Sequence, residues 1–336
     1  MTDISSLEQT VEHRLLQDMD ALAEQLGRVR QQVERMIYGQ REVIDQTLTC
    51  ILAGGHVLLI GVPGLGKTRL VSTISTVLGL ESKRVQCTPD LMPADIVGSE
   101  VMEEDGDGRR HFRFIRGPVF CQLLMADEIN RASPRTQSAL LQAMQERTVT
   151  VAGQTHEVPS PFHVLATQNP LEQEGTYPLP EAQLDRFMLQ VTVGYPGHGA
   201  EREMLLNTTG AGEDRPLAVL TPAELRDAQL LLRRAPVGDS VVQVILALVR
   251  DGRPESSGIE DVQRHVAWGP GPRASQALLM AARARAVLDG RLAPSVEDVL
   301  ALVHPVLRHR MALNFAAQAE GTTLDSIIDR LCDRHG

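Results

Sequence analysis

An eight-residue glycine-rich stretch with one lysine has the residue types that bind phosphate. Residues 61–68 read GVPGLGKT and match the pattern G-x-x-x-x-G-K-T, between an apolar run and a helical pattern. In such a loop, successive backbone N–H groups surround a phosphate, and the start of the next helix adds a positive dipole end. Lys67 is one of two lysines in a chain that otherwise uses arginine, and its compact ammonium suits a tight loop better than a planar guanidinium. We therefore predict that the loop binds a nucleoside triphosphate, with Thr68 as a ligand of Mg²⁺; a glycine-rich turn without function is the alternative.

Two further apolar runs end in polar residues of the kind that activate water. QLLMADE, residues 122–128, ends in Asp127 and Glu128, and two carboxylates at the end of a buried strand are costly unless a cation or water engages them. We predict that Asp127 holds Mg²⁺ through water and that Glu128 polarises the attacking water, whereas a helix cap is the alternative. HVLATQN, residues 163–169, ends in Asn169, whose amide we expect to orient that water or contact the γ-phosphate. A turn-forming asparagine before Pro170 is the alternative.

Five short apolar runs predict the sheet that positions these groups. They are HVLLIG, KRVQCT, QLLMADE, HVLATQN and MLQVTV. They lack period-two alternation, as expected for strands that are covered on both faces, and helical patterns lie between several of them. The sequence therefore predicts an α/β fold with a mainly parallel five-stranded sheet between about His56 and Pro196.

Two segments interrupt this alternation. Residues 92–117 carry a dense mixture of charges, which we interpret as a projecting insertion or an ordinary hairpin rather than a nucleic-acid contact. Residues 148–161 indicate a hairpin with its turn at Gly153-Gln154.

Helical patterns dominate both ends of the chain. Apolar residues recur at three- and four-residue steps from Leu7 to Met36, which predicts one long amphipathic helix. This helix either packs on its own domain or serves as a partner-binding arm. Further helices are predicted near residues 222–234, 240–250, 274–289, 295–310 and 322–334.

Composition and charge exclude several classes of protein. A hydrophobic fraction of 43% in 336 residues suffices for a sizeable core, and a net charge of −10 disfavours nonspecific binding to nucleic acid or anionic membranes. Four widely spaced cysteines without a C-x-x-C pair argue against a zinc site or a disulfide framework. The apolar run Cys50–Ile60 is too short to span a bilayer, and no leader pattern precedes it. We expect a cytoplasmic protein without membrane insertion.

The combination of motifs resembles the MoxR branch of the AAA+ ATPases from about Tyr38 to Leu313. The motifs that carry this resemblance are GVPGLGKT, LLMADEINRASPRTQSALLQAMQE, ATQNP, LPEAQLDRF and GPRAS. The resemblance implies an AAA+ phosphate-loop core at residues 38–197, preceded by the helix at 1–37 and followed by an all-helical lid domain at 198–336. It identifies the two interruptions with the helix-2 insertion and the pre-sensor-1 hairpin of the family, which project toward the pore of a ring.

The resemblance also implies roles for individual residues. Arg186 would reach into the nucleotide site of the neighbouring subunit, and Arg273 would be the second sensor in the lid. A salt bridge of Arg186 to Glu181 or Asp185 and a solvated helix-start role for Arg273 are the alternatives. The predicted catalytic residues are Glu128, Asn169, Arg186 and Arg273. The predicted nucleotide-binding residues are Tyr38, Gly39, Gln40, Gly61, Pro63, Gly64, Leu65, Gly66, Lys67, Thr68 and Arg69, with Thr68 and Asp127 at the metal.

The function implied by the resemblance is ATP hydrolysis between subunits of a homo-oligomeric ring, expected to be a hexamer. Such ATPases remodel, mature or activate a client protein or enzyme complex, or insert a metal cofactor, together with a protein that carries a von Willebrand factor A domain. The ATPase subunit of a metal chelatase and a nucleotide-gated scaffold are alternatives. A nucleic-acid motor is disfavoured by the net charge of −10.

Overall fold

The computed structural model describes most of the chain as two compact units. The residues described are 4–106, 109–172, 174–209 and 215–336, with side chains from residue 16 onward. One unit, termed the sheet unit, comprises Val33–Ile44 and Gly54–Pro222. The other, termed the helical unit, comprises the chain up to Gln32, Asp45–Ala53 and Ala223–Gly336. The domain boundaries at residues 37/38 and 197/198 stay predictions.

Helices and strands alternate through the first two thirds of the chain, and helices dominate the last third. The helices are α1 (Ile4–Glu34), α2 (Arg41–Leu52), α3 (Lys67–Val77), α4 (Pro93–Val97), α5 (Pro134–Glu146), α6 (Glu181–Leu184), α7 (His198–Thr208), α8 (Pro222–Arg234), α9 (Asp239–Asp251), α10 (Glu260–His265), α11 (Pro272–Leu288), α12 (Val296–Leu307), α13 (Phe315–Ala319) and α14 (Leu324–His335). The strands are β1 (Val57–Ile60), β2 (Ser82–Gln86), β3 (Gly98–Glu104), β4 (Arg110–Arg116), β5 (Leu123–Asp127), β6 (Thr148–Val151), β7 (Gln154–Glu157), β8 (His163–Gln168), β9 (Leu189–Thr192), β10 (Val266–Trp268) and β11 (Ala312–Leu313).

The five predicted strands form one parallel sheet in the sheet unit, as expected. Its order is β2-β5-β8-β1-β9, and every described pairing within it is parallel. The central strands are buried on both faces, since all five residues of β5 and the first five of β8 are buried. The expectation of full burial is wrong for the edge strand β2, where only Val85 is buried. The carboxyl ends of parallel strands meet at one edge of a sheet, so the phosphate loop after β1 lies at the same edge as the ends of β5 and β8.

Both predicted interruptions contain antiparallel hairpins. β3 pairs with β4 over seven residues from Gly98↔Arg116 to Glu104↔Arg110, and β6 pairs with β7. The two hairpins touch where the ring of Phe114 stacks on His156, with ring centroids 4.1 Å apart.

The position of the second turn differs by one residue from the prediction. The prediction of a Gly153-Gln154 turn is wrong, because Gln154 already pairs with Val151 in the ladder and the turn is Ala152-Gly153. Both turn residues have positive φ, 48° and 81°, which is the geometry that matches a two-residue hairpin loop to the twist of its strands.

The helical unit contains the C-terminal helices in the predicted positions. Among its described residues, a small antiparallel pair, β10 with β11, departs from the predicted all-helical lid. The N-terminal helix α1 buries Met19, Leu22 and Leu26. Arg30 on α1 pairs with Asp45 and Asp289 at 2.7 Å each, so the last turns of α1 are held by charge as well as by apolar contact. Among the described residues, no helix combines the length and apolar character needed to cross a bilayer.

Candidate active site

The phosphate loop connects the end of β1 to the start of α3. Gly66 precedes α3 with φ 76°, a left-handed conformation that residues with a Cβ rarely adopt. The Nζ of Lys67 donates hydrogen bonds to the carbonyl oxygens of Gly61 and Val62, at 2.6 and 2.7 Å. The ammonium is therefore folded back over its own loop, at the point where the motif predicts a phosphate.

The electrostatic surroundings of Lys67 are set by burial and by two carboxylates. Burial lowers the pKa of Lys67, and the charges of Asp127 and Glu128 partly offset that decrease. Lys67 begins α3 after β1 and the two carboxylates lie at the end of β5, so the parallel sheet brings all three groups to one edge.

Asp127, the last residue of β5, is fixed by side chains from both neighbouring strands. Its Oδ1 accepts a hydrogen bond from the hydroxyl of Thr167 on β8 at 2.5 Å. Its Oδ2 accepts one from a guanidinium nitrogen of Arg84 on β2, also at 2.5 Å. Each oxygen retains a further lone pair, so this carboxylate can still accept a hydrogen bond from a metal-bound water.

Glu128 follows in a strained backbone conformation. Its φ and ψ are 55° and 52°, which is uncommon for a residue with a side chain and is found at functional sites. Its N–H donates to the Thr167 hydroxyl oxygen at 2.8 Å, and its Oε2 accepts from Nε2 of Gln86 at 2.8 Å. Arg131 lies 3.7 Å from the same oxygen. The candidate base is therefore positioned by its own backbone and by β2.

Asn169 directly follows β8 and makes short-range contacts. Its Oδ1 accepts from the N–H of Leu171 at 3.1 Å, which is the turn-forming bond of the alternative interpretation. Its Nδ2 donates to Glu172 at 3.4 Å, and Glu172 pairs with Arg131 at 3.1 Å. The asparagine thus belongs to a polar chain that leads to Glu128, and its role as a sensor stays a prediction.

A cavity of about 450 Å³ beside the phosphate loop brings most of the predicted nucleotide-binding residues together. Its volume is within the range of small-molecule sites. The predicted residues in its wall are Tyr38, Gln40, Pro63, Gly64, Leu65, Gly66 and Arg69. Gln40 donates to the Leu65 carbonyl at 3.2 Å, which joins the segment before α2 to the loop. Gly39 lines a neighbouring cavity of about 800 Å³ that shares Tyr38 and Arg69 with the first.

The residues in the opposite wall of this cavity were not predicted from the sequence. Tyr195, Pro196, Glu201, Met204 and Thr208 line it from the segment after β9 and from α7. The signal that could have identified them is the motif GYPGH directly after the fifth strand, at the same sheet edge as the phosphate loop.

The two predicted arginines lie in different places. Arg186, two residues beyond α6, donates from Nη1 to the carbonyl oxygen of Leu141 on α5 at 2.6 Å. Arg273 is the second residue of α11 and belongs to the helical unit. The roles of both arginines stay predictions.

Comparison with known proteins gives consistent matches along the chain. A family model described as "ATPase family associated with various cellular activities (AAA)" matches residues 56–189, and one described as "AAA lid domain" matches residues 260–331. Chaperone MoxR1 of Mycobacterium tuberculosis is 42% identical over 89% of this chain and 79% of its own length. Uncharacterized protein YeaC of Bacillus subtilis is 39% identical over 90% of this chain and 92% of its own. The crystal structure of a protein from Cytophaga hutchinsonii, assigned as an ATPase, covers 98% of both chains with a TM-score of 0.88 and 34% identity.

Proposed function

The chain belongs to the MoxR family of AAA ATPases, and from that premise we propose that it hydrolyses Mg-ATP at sites shared between adjacent subunits of a ring. In this proposal the loop at 61–68 and Lys67 hold the triphosphate, and Glu128 polarises the attacking water. Arg186 completes the site of the neighbouring subunit. Phosphoryl transfer needs positioning and charge neutralisation more than covalent chemistry, so these groups suffice.

The observation that carries the proposal is that the charged groups are held by different elements of one subunit. Lys67, Asp127 and Glu128 lie at one edge of the sheet, after β1 and β5, whereas Arg186 is hydrogen-bonded to the Leu141 carbonyl oxygen of α5. No contact among the described residues joins Arg186 to those three side chains. An arginine supplied from outside a site of this type raises turnover by about 10³–10⁵ in comparable enzymes. A subunit whose Arg186 serves its neighbour would therefore be slow when isolated.

The donor set fits a magnesium ion. Mg²⁺ prefers oxygen ligands and retains several waters, and the exposed hydroxyl of Thr68 and the carboxylate of Asp127 are oxygen donors at this sheet edge. When bound, the ion would neutralise charge on the phosphate oxygens. Thr68 would contact it directly, and Asp127 would hold one of its waters.

The work done with ATP is proposed to be the remodelling or activation of a client protein by a hexameric ring. Support comes from the relative named a chaperone and from the exposed apolar side chains on the β3–β4 hairpin, which include Met102 and Phe112. Exposed apolar side chains on a projecting element indicate contact with another molecule. The family resemblance favours a partner with a von Willebrand factor A domain.

The test of shared sites uses two inactive variants in one assembly. Arg186→Ala subunits retain their own phosphate site, and Lys67→Ala subunits retain the arginine. Each variant alone is expected to be inactive, and a mixture is expected to recover turnover where a Lys67→Ala subunit lends Arg186 to its neighbour. A mixture as inactive as its parts would contradict the proposal. Glu128→Gln, which should bind ATP without hydrolysing it, provides the trap for isolating a client.

A further inference from the structure

A fully buried glutamine on α5 contacts three backbone carbonyl groups. Gln137 is 1% exposed, and its Nε2 lies 3.0–3.2 Å from the carbonyl oxygens of Tyr177, Ala132 and Ile129. Because all three neighbours are acceptors, this end of the amide must be the NH₂ group. Its two hydrogens are shared among three acceptors, and its Oε1 accepts nothing from the described residues. Burying an amide whose oxygen has no partner costs free energy, so we expect such a group only where its donor contacts have a role.

The three carbonyl groups come from two segments of different proposed function. Ile129 and Ala132 belong to the short turn that directly follows Glu128. Tyr177 lies in the connection between Asn169 and Arg186. The N–H of Tyr177 also donates to the carbonyl oxygen of Asn130 at 2.6 Å, so the two segments are joined directly as well as through Gln137.

The same helix also holds the arginine. Leu141, whose carbonyl oxygen accepts from Arg186, is four residues beyond Gln137 and therefore lies on the same side of α5. Ser133 caps the start of α5, so the helix begins immediately after the turn that Gln137 contacts. One helix thus fixes both the turn that carries Glu128 and the guanidinium of Arg186.

We infer that Gln137 is a positioning residue that couples the ATP site of its own subunit to the arginine lent to the next one. This inference rests on the proposed shared sites. Glu128 acts on the subunit's own nucleotide and Arg186 on the neighbour's, so α5 and Gln137 form the physical connection between two consecutive sites of the ring. Loss of the amide would displace both groups together.

The first experiment replaces Gln137 by methionine, which has a similar length and volume but no donor. Displacements near 1 Å reduce turnover on the order of 100-fold in active sites, so kcat is expected to fall about 10-fold to 100-fold while KM for ATP is retained. Gln145→Met is the matched control, because Gln145 is exposed on the same helix, and wild-type turnover is expected. Wild-type kcat in a folded Gln137→Met protein would overturn the inference. If Gln137→Met does not fold, Gln137→Asn, whose stem is one methylene shorter and withdraws the donors from the three carbonyl groups, is measured in its place; the same decrease in kcat is expected, and a wild-type kcat would overturn the inference.

The second experiment separates the two sites in mixed assemblies of the Gln137 variant. In a mixture of the Gln137 variant with Arg186→Ala subunits, turnover reports on the arginine that the variant lends to its neighbour. In a mixture with Lys67→Ala subunits, turnover reports on the variant's own ATP site. Both mixtures are expected to recover about tenfold less turnover than Arg186→Ala mixed with Lys67→Ala, because both groups are displaced. Full recovery in either mixture would overturn the coupling, since one of the two sites would then be intact. No recovery in the reference mixture would instead contradict the shared sites themselves.

Discussion

Replacing Thr167 by valine is expected to disturb both carboxylates of the candidate site at once. The Thr167 hydroxyl is buried between them, donating to Asp127 Oδ1 at 2.5 Å and accepting from the Glu128 N–H at 2.8 Å. Valine is β-branched like threonine and has nearly the same shape, so the substitution removes these two hydrogen bonds without opening a cavity.

The magnitude follows from the two bonds. A hydrogen bond to a charged group contributes about 1.5–3 kcal/mol, and the part-buried bond of the Glu128 N–H contributes about 0.5–1.5 kcal/mol. Thr167→Val should therefore lower the free energy of unfolding by about 2–4 kcal/mol. The left-handed backbone of Glu128 loses its restraint from β8, so turnover should also fall, on the order of tenfold or more.

The assay compares Thr167→Val with Thr167→Ser, which loses a methyl group but retains the hydroxyl. Urea unfolding gives the stability difference, calorimetry gives ATP affinity, and phosphate release gives turnover. The serine variant should remain within about 1.5 kcal/mol of the wild type and should turn over ATP normally. Equal stability and turnover in the valine and serine variants would refute the role assigned to this hydroxyl.

Three further predictions concern single groups. Lys67→Ala should abolish ATP binding by calorimetry, because the loop loses its only ammonium; unchanged affinity would remove the phosphate-loop assignment. Burial lowers the pKa of His163 to about 4 against 6.5 unfolded, so its neutral ring stabilises the fold above pH 6.5 and loses that effect as pH falls toward 4. The loss from His163 is about 2 kcal/mol near pH 5. His163→Asn, which can still donate to the Gly55 carbonyl, should remove this part of the pH dependence of the urea-unfolding free energy, while the part due to His56, whose pKa burial lowers to about 3, should remain. Asp298 is 2% exposed and accepts hydrogen bonds from Arg291 at 2.5 and 2.6 Å. Asp298→Asn should lower the free energy of unfolding by about 2–3 kcal/mol, and an unchanged melting temperature would contradict this.

Much of the fold was predictable because its signals are local. Apolar runs indicated the five strands of the sheet, and the cap at Ser133-Pro134 marked the start of α5. The expected burial of every strand failed at β2, because an edge strand has a neighbour on one side only. The hairpin turn was misplaced by one residue because Gly153 suits either position of a two-residue turn. Only the pairing of Val151 with Gln154 decides between them.

The part of the site that was not predictable depends on strand order. Chain order does not reveal that β5 lies between β2 and β8, so the contacts of Arg84, Gln86 and Thr167 with the two carboxylates have no sequence signal. The role of Gln137 likewise could not be predicted from the sequence, because its three acceptors are backbone carbonyl groups, which every residue type has. Motifs indicate the groups that perform chemistry, whereas the residues that orient those groups can be identified only from their contacts in the folded protein.

The most direct test of the shared site is ATP turnover per subunit measured across a range of protein concentrations, with the mass of the assembly recorded at each one. If Lys67 and Arg186 act on one nucleotide from different subunits, turnover per subunit should rise with the fraction that is assembled. It should approach zero in the monomer. A monomer that hydrolyses ATP at the full rate of the assembly would contradict the account.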